Sequence, residues 1–489
     1  MATNNTKQAA WVSLGSLFSF GFSIVSSMIL SRYLDKTDYG TYKQVIYVYH
    51  TLLTVFTLGL PKTYSYFLPR VTPEEAKDLI NKITKLFFIL GGLFSVLLFV
   101  GSPVIASVLK NPSLEVALRY FSLVPFFMLP TMGLEGILAS YKKTKFLALY
   151  TILTRVLMLL CVALPVMAFG LNYIGAIIGF VIASLLSFIL AMILKFYPVR
   201  GFEKRRTSVT YKEVFHFSLP LLYASLFGVL ANSADQFFIS RHFGTEIFAD
   251  FTNGSMELPF IGMIVTACST VLSPIFSRLS HERVDFHSQV YPLWISVYKK
   301  TALLIYPIIV YCWVFADVIM VFLYGQQYES SQTFFRIKVI TYVFSLIIFA
   351  PLLINTGKVK IYSRVHATAA VLIWPIEYIG VLLTDSPYSV SIISLVGHVS
   401  KIFIFLYIIA KMFGVRIDQL FPMKLIGKII IPCLIILAGI KYLILSHLEI
   451  STNLCLFISL FLYALCYILY AYLAKLDYSS IIRPLLSKK

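Results

Sequence analysis

The chain has 489 residues, of which 59% are hydrophobic and only 13% charged, against about 25% charged in a soluble globular domain. That composition excludes a water-soluble protein and reads as an integral membrane protein. Its 41 Lys and Arg against 22 Asp and Glu give a net charge of +19. The basic residues lie in short clusters between apolar runs, on no single soluble surface, so membrane topology explains them better than nucleic-acid binding.

The N-terminal MATNNTKQAA is short and polar. The apolar run after it is too long for a signal-peptide core and is read as a retained span. A helix needs about 20 mostly apolar residues to cross a bilayer, and fourteen such runs follow one another. The first six lie near 9–31, 41–61, 84–109, 115–139, 146–169 and 172–195. The next six lie near 214–241, 247–277, 297–323, 332–355, 362–383 and 387–411, and a last pair near 425–446 and 452–474. These runs are long and continuous, unlike the short alternating strands of a β-barrel. The expected fold class is therefore an all-α polytopic membrane protein. The amphipathic stretch 74–85 is expected to lie at the cytoplasmic surface as a connector.

The linkers alternate in charge. Lys142, Lys143 and Lys145, then Arg200, Lys204, Arg205 and Arg206, then Lys358, Lys360 and Arg364, then Lys411, Arg416 and Lys424 fall in one set, which the tail residues Arg483, Lys488 and Lys489 join. Intervening linkers such as 170–173 and 324–331 carry no Lys or Arg. This places the basic set and both termini in the cytoplasm. The six cysteines all lie inside apolar runs without a CxxC pair, so no disulfide framework and no metal site are expected. No outer loop is long enough to hold a catalytic domain, and the chain is not expected to be an enzyme.

Residues 30–42, LSRYLDKTDYGTY, and residues 239–251, ISRHFGTEIFADF, each join an odd span to the next. With Ser31-Arg32 set on Ser240-Arg241, Tyr39 meets Phe248, Gly40 meets Ala249 and Tyr42 meets Phe251. Equivalent placement in two halves favours a duplicated six-helix unit over two ordinary interfacial loops. The expected organisation is two pseudo-symmetric six-helix lobes, 1–200 and 214–415, joined by a cytoplasmic linker, 201–213, and followed by an additional helix pair and cytoplasmic tail, 416–489. Two parallel repeats of six spans would be related by an axis along the membrane normal and would enclose a central cavity. Arg32, Asp38, Tyr39, Gly40, Tyr42 and Arg241 are read as an outer-side hinge.

The pattern Arg32, Leu34, Asp38, Tyr39, Gly40, Tyr42 after span 1, with Asp235 to Ser240 closing span 7, resembles the polysaccharide flippases of the multidrug/oligosaccharidyl-lipid/polysaccharide exporter superfamily. Its O-antigen and oligosaccharide repeat-unit translocases are the members it most resembles. The resemblance implies a bacterial inner-membrane protein that moves undecaprenyl-pyrophosphate-linked oligosaccharide from the cytoplasmic to the periplasmic leaflet by alternating access, for O-antigen and other surface polysaccharides. It implies no nucleic-acid partner. Polysaccharide polymerase machinery is a candidate partner, and a monomer suffices.

An ionisable residue near mid-bilayer costs about 2.5–3.5 kcal/mol on insertion scales, so its presence needs a reason. A lipid-linked sugar diphosphate is a double anion, and Arg and Lys can grip it. Arg155 and Lys401 are the expected central contacts, one per lobe. Arg119, Arg336, Lys338 and His398 are outer or secondary ones. For Arg119, Arg336, Lys338 and Lys441, snorkelling to the interface competes with that role, and His398 reads equally as a packing residue. Asp235 with Asn232, and Glu257 beside Pro259, are candidates for Na⁺ or H⁺ coupling; neutralising the cavity cations is an equal reading. Asp250, Asn253 and Glu257 are expected on one helical face. No cofactor is expected beyond such an ion. Two alternatives stay open: a cation-coupled multidrug exporter of the same superfamily, and a peptidoglycan lipid-precursor flippase. Span 1 lacks the acid that the exporter would carry.

Overall fold

A computed structural model describes residues 2–282, 284–447 and 451–481, with side chains described outside 2–10, 12–13 and 444–447. The tail cations Arg483, Lys488 and Lys489 lie outside the described residues. The described chain is helical, and fourteen helices or broken helices are long and apolar enough to cross a membrane. Spans 1 to 6 are Leu14–Tyr33, Lys36–Arg70, Pro73–Val108, Ser113–Ser140, Thr144–Phe169 and Tyr173–Val199. Spans 7 to 12 are Tyr211–Gly254, Pro259–His281, Phe286–Val314, Ser331–Asn355, Val359–Thr384 and Pro387–Phe413. Spans 13 and 14 are Met423–Leu443 and Thr452–Leu473. The chain gathers into two compact units, Met1–Ala249 and Asp250–Lys489.

Span 3 corrects one expectation. Thr72 caps it, accepting from the Glu75 N–H while the Glu75 carboxylate accepts from the Thr72 N–H, and Pro73 fills the first helical position. The 36-residue helix that follows is about 54 Å long at 1.5 Å per residue, well beyond the ~30 Å hydrocarbon core. Residues 74–85 are thus the first turns of span 3, because the cap starts the helix before the apolar run begins. The 201–213 linker folds against these turns. Lys204 pairs with Asp78 at 3.2 Å, and Asp78 also accepts from the Thr207 N–H at 3.0 Å. Lys77 and Lys82 donate to the Phe202 and Val209 carbonyls at 3.0 and 2.6 Å.

The two related turns are built differently. Asp35 breaks the chain after span 1 and caps span 2, accepting from the Asp38 N–H at 2.7 Å. In the second copy a bend at Gly244, φ 82°, does the same inside a merged 44-residue element. A real break comes later, at Ser255–Leu258. Leu258 is extended, as a residue before proline prefers, and Pro259 opens the next helix. Asp250, Asn253 and Glu257 therefore do not share one helical face, since the helix stops at Gly254, before Glu257.

Span 4 is interrupted as well. A tight turn at Leu129–Thr131 leads into Gly133, φ 78°, and the helix restarts at Leu134. Gly133 lies against the Tyr64 ring so closely that a Cβ would collide with it. The carbonyls freed by this break are met by Lys195 of span 6, which is 0% exposed. Its amino group donates to Pro130 at 2.7 Å and Met132 at 3.2 Å. The Tyr64 and Phe87 ring centroids lie 4.9 and 5.4 Å from that nitrogen.

Spans 13 and 14 belong to the second unit and present a mostly exposed apolar face, including Ile435, Phe457, Phe461 and Ile468. Tyrosines dock them on span 9. Pro307 lacks an N–H, which leaves the Leu303 carbonyl without its helical donor. Tyr478 donates to that carbonyl at 2.7 Å, and Tyr463 donates to the Pro307 carbonyl at 2.9 Å. The Tyr478 hydroxyl also bonds the Tyr467 hydroxyl at 2.8 Å, so Tyr478→Phe is expected to lower stability by about 1–3 kcal/mol, the net worth of two hydrogen bonds, as read by unfolding in a graded denaturing detergent. An unchanged midpoint would mean that the carbonyl finds another donor.

Candidate functional site

Within the first unit the two related turns meet each other. Gln44 of span 2 donates to the Ser240 hydroxyl at 2.8 Å, and Tyr47 donates to the Ser233 carbonyl at 3.2 Å. Thr37 donates to Glu246 at 3.1 Å. Gly40 lies against the Thr245 carbonyl, where any Cβ would clash with backbone. Asn111, ahead of span 4, donates to Thr41 at 3.0 Å and to Gln44 at 2.6 Å, so one buried amide relay ties spans 2, 4 and 7. The second unit repeats the tie: Asp250, the counterpart of Thr41, accepts from Ser330 at 2.6 Å and Ser331 at 3.2 Å at the start of span 10.

The hinge residues named from sequence find specific places. Tyr39 is fully buried with Lys43 over its ring at 5.0 Å. Asp38 accepts from the Tyr173 N–H at 3.5 Å. Arg241 donates to the Val108 carbonyl, at the negative end of the span 3 helix dipole. Arg32 is exposed, and Tyr42 is buried within electrostatic range of Arg155.

Two groups of cations sit inside apolar spans, one in each unit. In the first, Arg155 of span 5 donates to the Ser19 hydroxyl of span 1 at 2.8 Å. Tyr42, Tyr150 and His50 lie within electrostatic range of its guanidinium. Lys43 reaches Ser27 of span 1 at 3.4 Å. Lys43 was missed from sequence. Its signal was there, since it stands seven residues, two helical turns, before His50, which puts both on one face of span 2.

In the second unit, Lys401 and His398 stand three apart on span 12, with His366 of span 11 within electrostatic range of both. His398 meets the Ser345 hydroxyl at 3.3 Å. Lys338 lies 5.9 Å from the Tyr342 ring and within range of His398. Among the described residues the His366 Nε2 is buried without a hydrogen-bond partner. His366, set in SRVHATAA, was also missed from sequence.

Three other cations named from sequence, Arg119, Arg336 and Lys441, are neutralised locally. Arg119 pairs with Glu115 at 2.7 Å one turn away and reaches Ser102 at 3.4 Å. Arg336 lies 3.9 Å from Asp317 and donates to the Trp313 carbonyl at 3.3 Å. Lys441 of span 13 approaches the same Asp317 at 2.7 Å. By contrast, among the described residues no carboxylate lies within ion-pair distance of Arg155, Lys43 or Lys401.

The proposed ion-coupling residues divide between the units. Asp235 and Asn232 lie on span 7 in the first, Asp235 half-buried and within electrostatic range of Tyr47. Glu257 lies in the second, exposed in the break before span 8. The neighbouring Leu258 N–H donates to the Tyr342 hydroxyl at 3.2 Å. No group of three or more His, Cys, Asp and Glu suited to a metal ion occurs among the described residues.

A family model described as polysaccharide biosynthesis protein matches residues 29–333, more than half of the chain. No curated protein matches the sequence. Among solved structures, the lipid II flippase MurJ in an inward closed conformation superposes with a TM-score of 0.73 at 15% identity, covering 96% of this chain and 99% of that one. An inward-facing multidrug resistance MATE family transporter of the MOP superfamily gives a TM-score of 0.64 at 15% identity, covering 83% and 98%. The Vibrio cholerae MATE transporter VcmN, as a D35N mutant, gives 0.58 at 15% identity, covering 86% and 98%. At these identities the likeness establishes a shared fold.

Proposed function

This chain belongs to the polysaccharide biosynthesis protein family, and on that premise we propose that it translocates a lipid-linked oligosaccharide diphosphate across a bacterial cytoplasmic membrane. The observation that carries the reading is the division among its cations. Those near helix ends, Arg119, Arg336 and Lys441, have carboxylate partners. Among the described residues, Arg155 and Lys43 in one unit and Lys401 with its histidines in the other do not. A cation held in an apolar span without a counter-ion is costly, and an anionic ligand supplies the missing charge on arrival. Each group by itself suits an anion: in the first unit Arg155 offers a planar fork of donors and Lys43 a point charge, and in the second Lys401 offers a point charge and His366 and His398 add hydrogen-bonding nitrogens.

The ligand is amphipathic, and translocation proceeds by exposing the cationic groups alternately to the two sides of the membrane. The basic linkers face the cytoplasm, and the undecaprenyl-linked repeat units of a surface polysaccharide such as O-antigen are the substrate class. Asp235 with Asn232, and Glu257 separately, are the groups proposed to bind Na⁺ or H⁺ if transport is coupled. The structural match named as a lipid II flippase extends over 96% of this chain. It favours a second reading, a peptidoglycan precursor with the same diphosphate chemistry. A multidrug exporter for cationic compounds is disfavoured by positive groups at these positions.

The test is translocation of a fluorescent polyprenyl-diphosphate oligosaccharide in proteoliposomes. Arg155→Ala and Lys401→Ala should each slow it about 10- to 100-fold, the loss of one charge-assisted contact of roughly 1.5–3 kcal/mol. Arg119→Ala, whose cation is already paired, should change the rate less than about twofold. Wild-type rates in both central variants would remove the proposal. Equal rates with a lipid-linked peptidoglycan precursor would favour the second reading, and indifference to both Na⁺ and pH gradients would remove the coupling role of the acids.

A further inference from the structure

Spans 3 and 6 leave a groove between them in the first unit, at the end of the helices where the basic linker lies. It is about 540 Å³ in volume, within the range of ligand-sized pockets. Span 3 contributes Lys77 and Asn81, one turn apart, and span 6 contributes Ile193, Phe196 and Tyr197, with Arg200 just beyond its end. The polar groups therefore gather at the mouth, and the apolar ones line the wall below. Among the described residues no acid lines the groove. The neighbouring cavity of about 630 Å³ is different: Asp78 lines it and already pairs with Lys204 at 3.2 Å.

The groove opens sideways onto surface that the fold leaves apolar. Ile193 is 63% exposed and Tyr197 45%. One turn deeper Ile189 is exposed on span 6, and Ile89 is exposed on span 3. The Phe88 and Phe188 rings, 5.8 Å apart, close the space between the helices at that depth. Lys77 is fixed in place because one of its donors is spent on the Phe202 carbonyl at 3.0 Å. Two ammonium donors and the Arg200 fork remain to meet an anion.

We infer that this groove holds an anionic glycerophospholipid, its phosphodiester between Lys77 and Arg200 and an acyl chain along Ile193 and Ile189. A doubly basic mouth above an exposed apolar wall matches a lipid of that kind on both counts, and zwitterionic lipid on one only. Span 3 projects beyond the hydrocarbon, so Lys77 and Asn81 stand at headgroup depth. The basic end of a membrane protein faces the leaflet that carries anionic lipid. Such a lipid would bridge span 3 to span 6 and steady the linker that Lys77 holds.

The test is native mass spectrometry of the full chain released from detergent after incubation with equimolar phosphatidylglycerol and phosphatidylcholine. The wild type should retain one phosphatidylglycerol, favoured about 10-fold, as expected for two cations near a membrane surface. Lys77→Gln with Arg200→Gln should bring that preference to near parity. Arg200→Gln alone, which leaves the Lys77 contact with the linker intact, should lower it severalfold, and Lys358→Gln with Lys360→Gln should leave it unchanged. No preference in the wild type, or a preference surviving in a folded double variant, would overturn the inference. So would full displacement of the lipid by millimolar inorganic phosphate alone, which would mark a free-phosphate site. The readout is binding, so it stands or falls separately from translocation.

Discussion

Gly40→Val should be the most damaging single change in the two related turns. Gly40 is helical, so its backbone angles do not require glycine; what requires it is the Thr245 carbonyl, packed where a Cβ would stand. Even alanine must push the two turns apart, an overpacking cost of about 1–3 kcal/mol, and valine adds two methyl groups to the same collision. The displacement also strains the contacts on either side, Thr37 to Glu246 and Gln44 to Ser240. The expected result is a lower unfolding midpoint for Gly40→Ala and little folded protein for Gly40→Val. A disulfide engineered with Thr37→Cys and Glu246→Cys should also form more slowly in the Gly40→Ala background. Gly92→Ala, where nothing lies within 4 Å of the added carbon, should be neutral or slightly stabilising. Equal midpoints for Gly40→Ala and wild type would show that the turns are not in close contact.

Lys195→Ala should cost about 3–5 kcal/mol, combining a large-to-small core change with one buried and one partly buried carbonyl that lose their donor. Lys195→Met separates the two terms. It keeps most of the volume and leaves the Pro130 and Met132 carbonyls unmet, so it should cost about 1–3 kcal/mol. The Pro130 carbonyl remains buried and the Met132 carbonyl partly buried whatever replaces the lysine, which is why a hydrophobic side chain does not restore the site. Lys195→Arg keeps donors but adds bulk to a side chain with no exposed surface, and should fall between. Denaturation midpoints of the four proteins in one detergent give the ranking. Lys195→Met at or above wild type would show that the carbonyls have other donors and that the lysine is there for another purpose.

The ion pair between Arg119 and Glu115 was within reach of the sequence, because a spacing of four on a helix makes neighbours. It was passed over in favour of a ligand contact or snorkelling to the interface. Arg336 and Lys441 were not readable in this way. Their shared partner Asp317 lies 19 residues from one and 124 from the other, and only packing within the second unit brings the three together. The break before Glu257 was signalled by Pro259, but proline in a membrane helix is compatible with a kink or an interruption. Gly254 backing onto the Ser331 carbonyl is the tertiary contact at this break.

The sequence by itself determined the number of spans, their approximate limits, the duplicated turn and the presence of cations far inside apolar runs. These follow from hydrophobicity and helical period, which are local and additive along the chain. Only the tertiary structure decided which cations already have a counter-charge, that the two copies of the turn are bonded to each other, and that Lys195 serves a broken helix. Each of those depends on a partner remote in sequence, such as Ser240 for Gln44, 196 residues away. An apolar span specifies that it is buried in lipid or protein, but its pattern does not name the side chain that it will face.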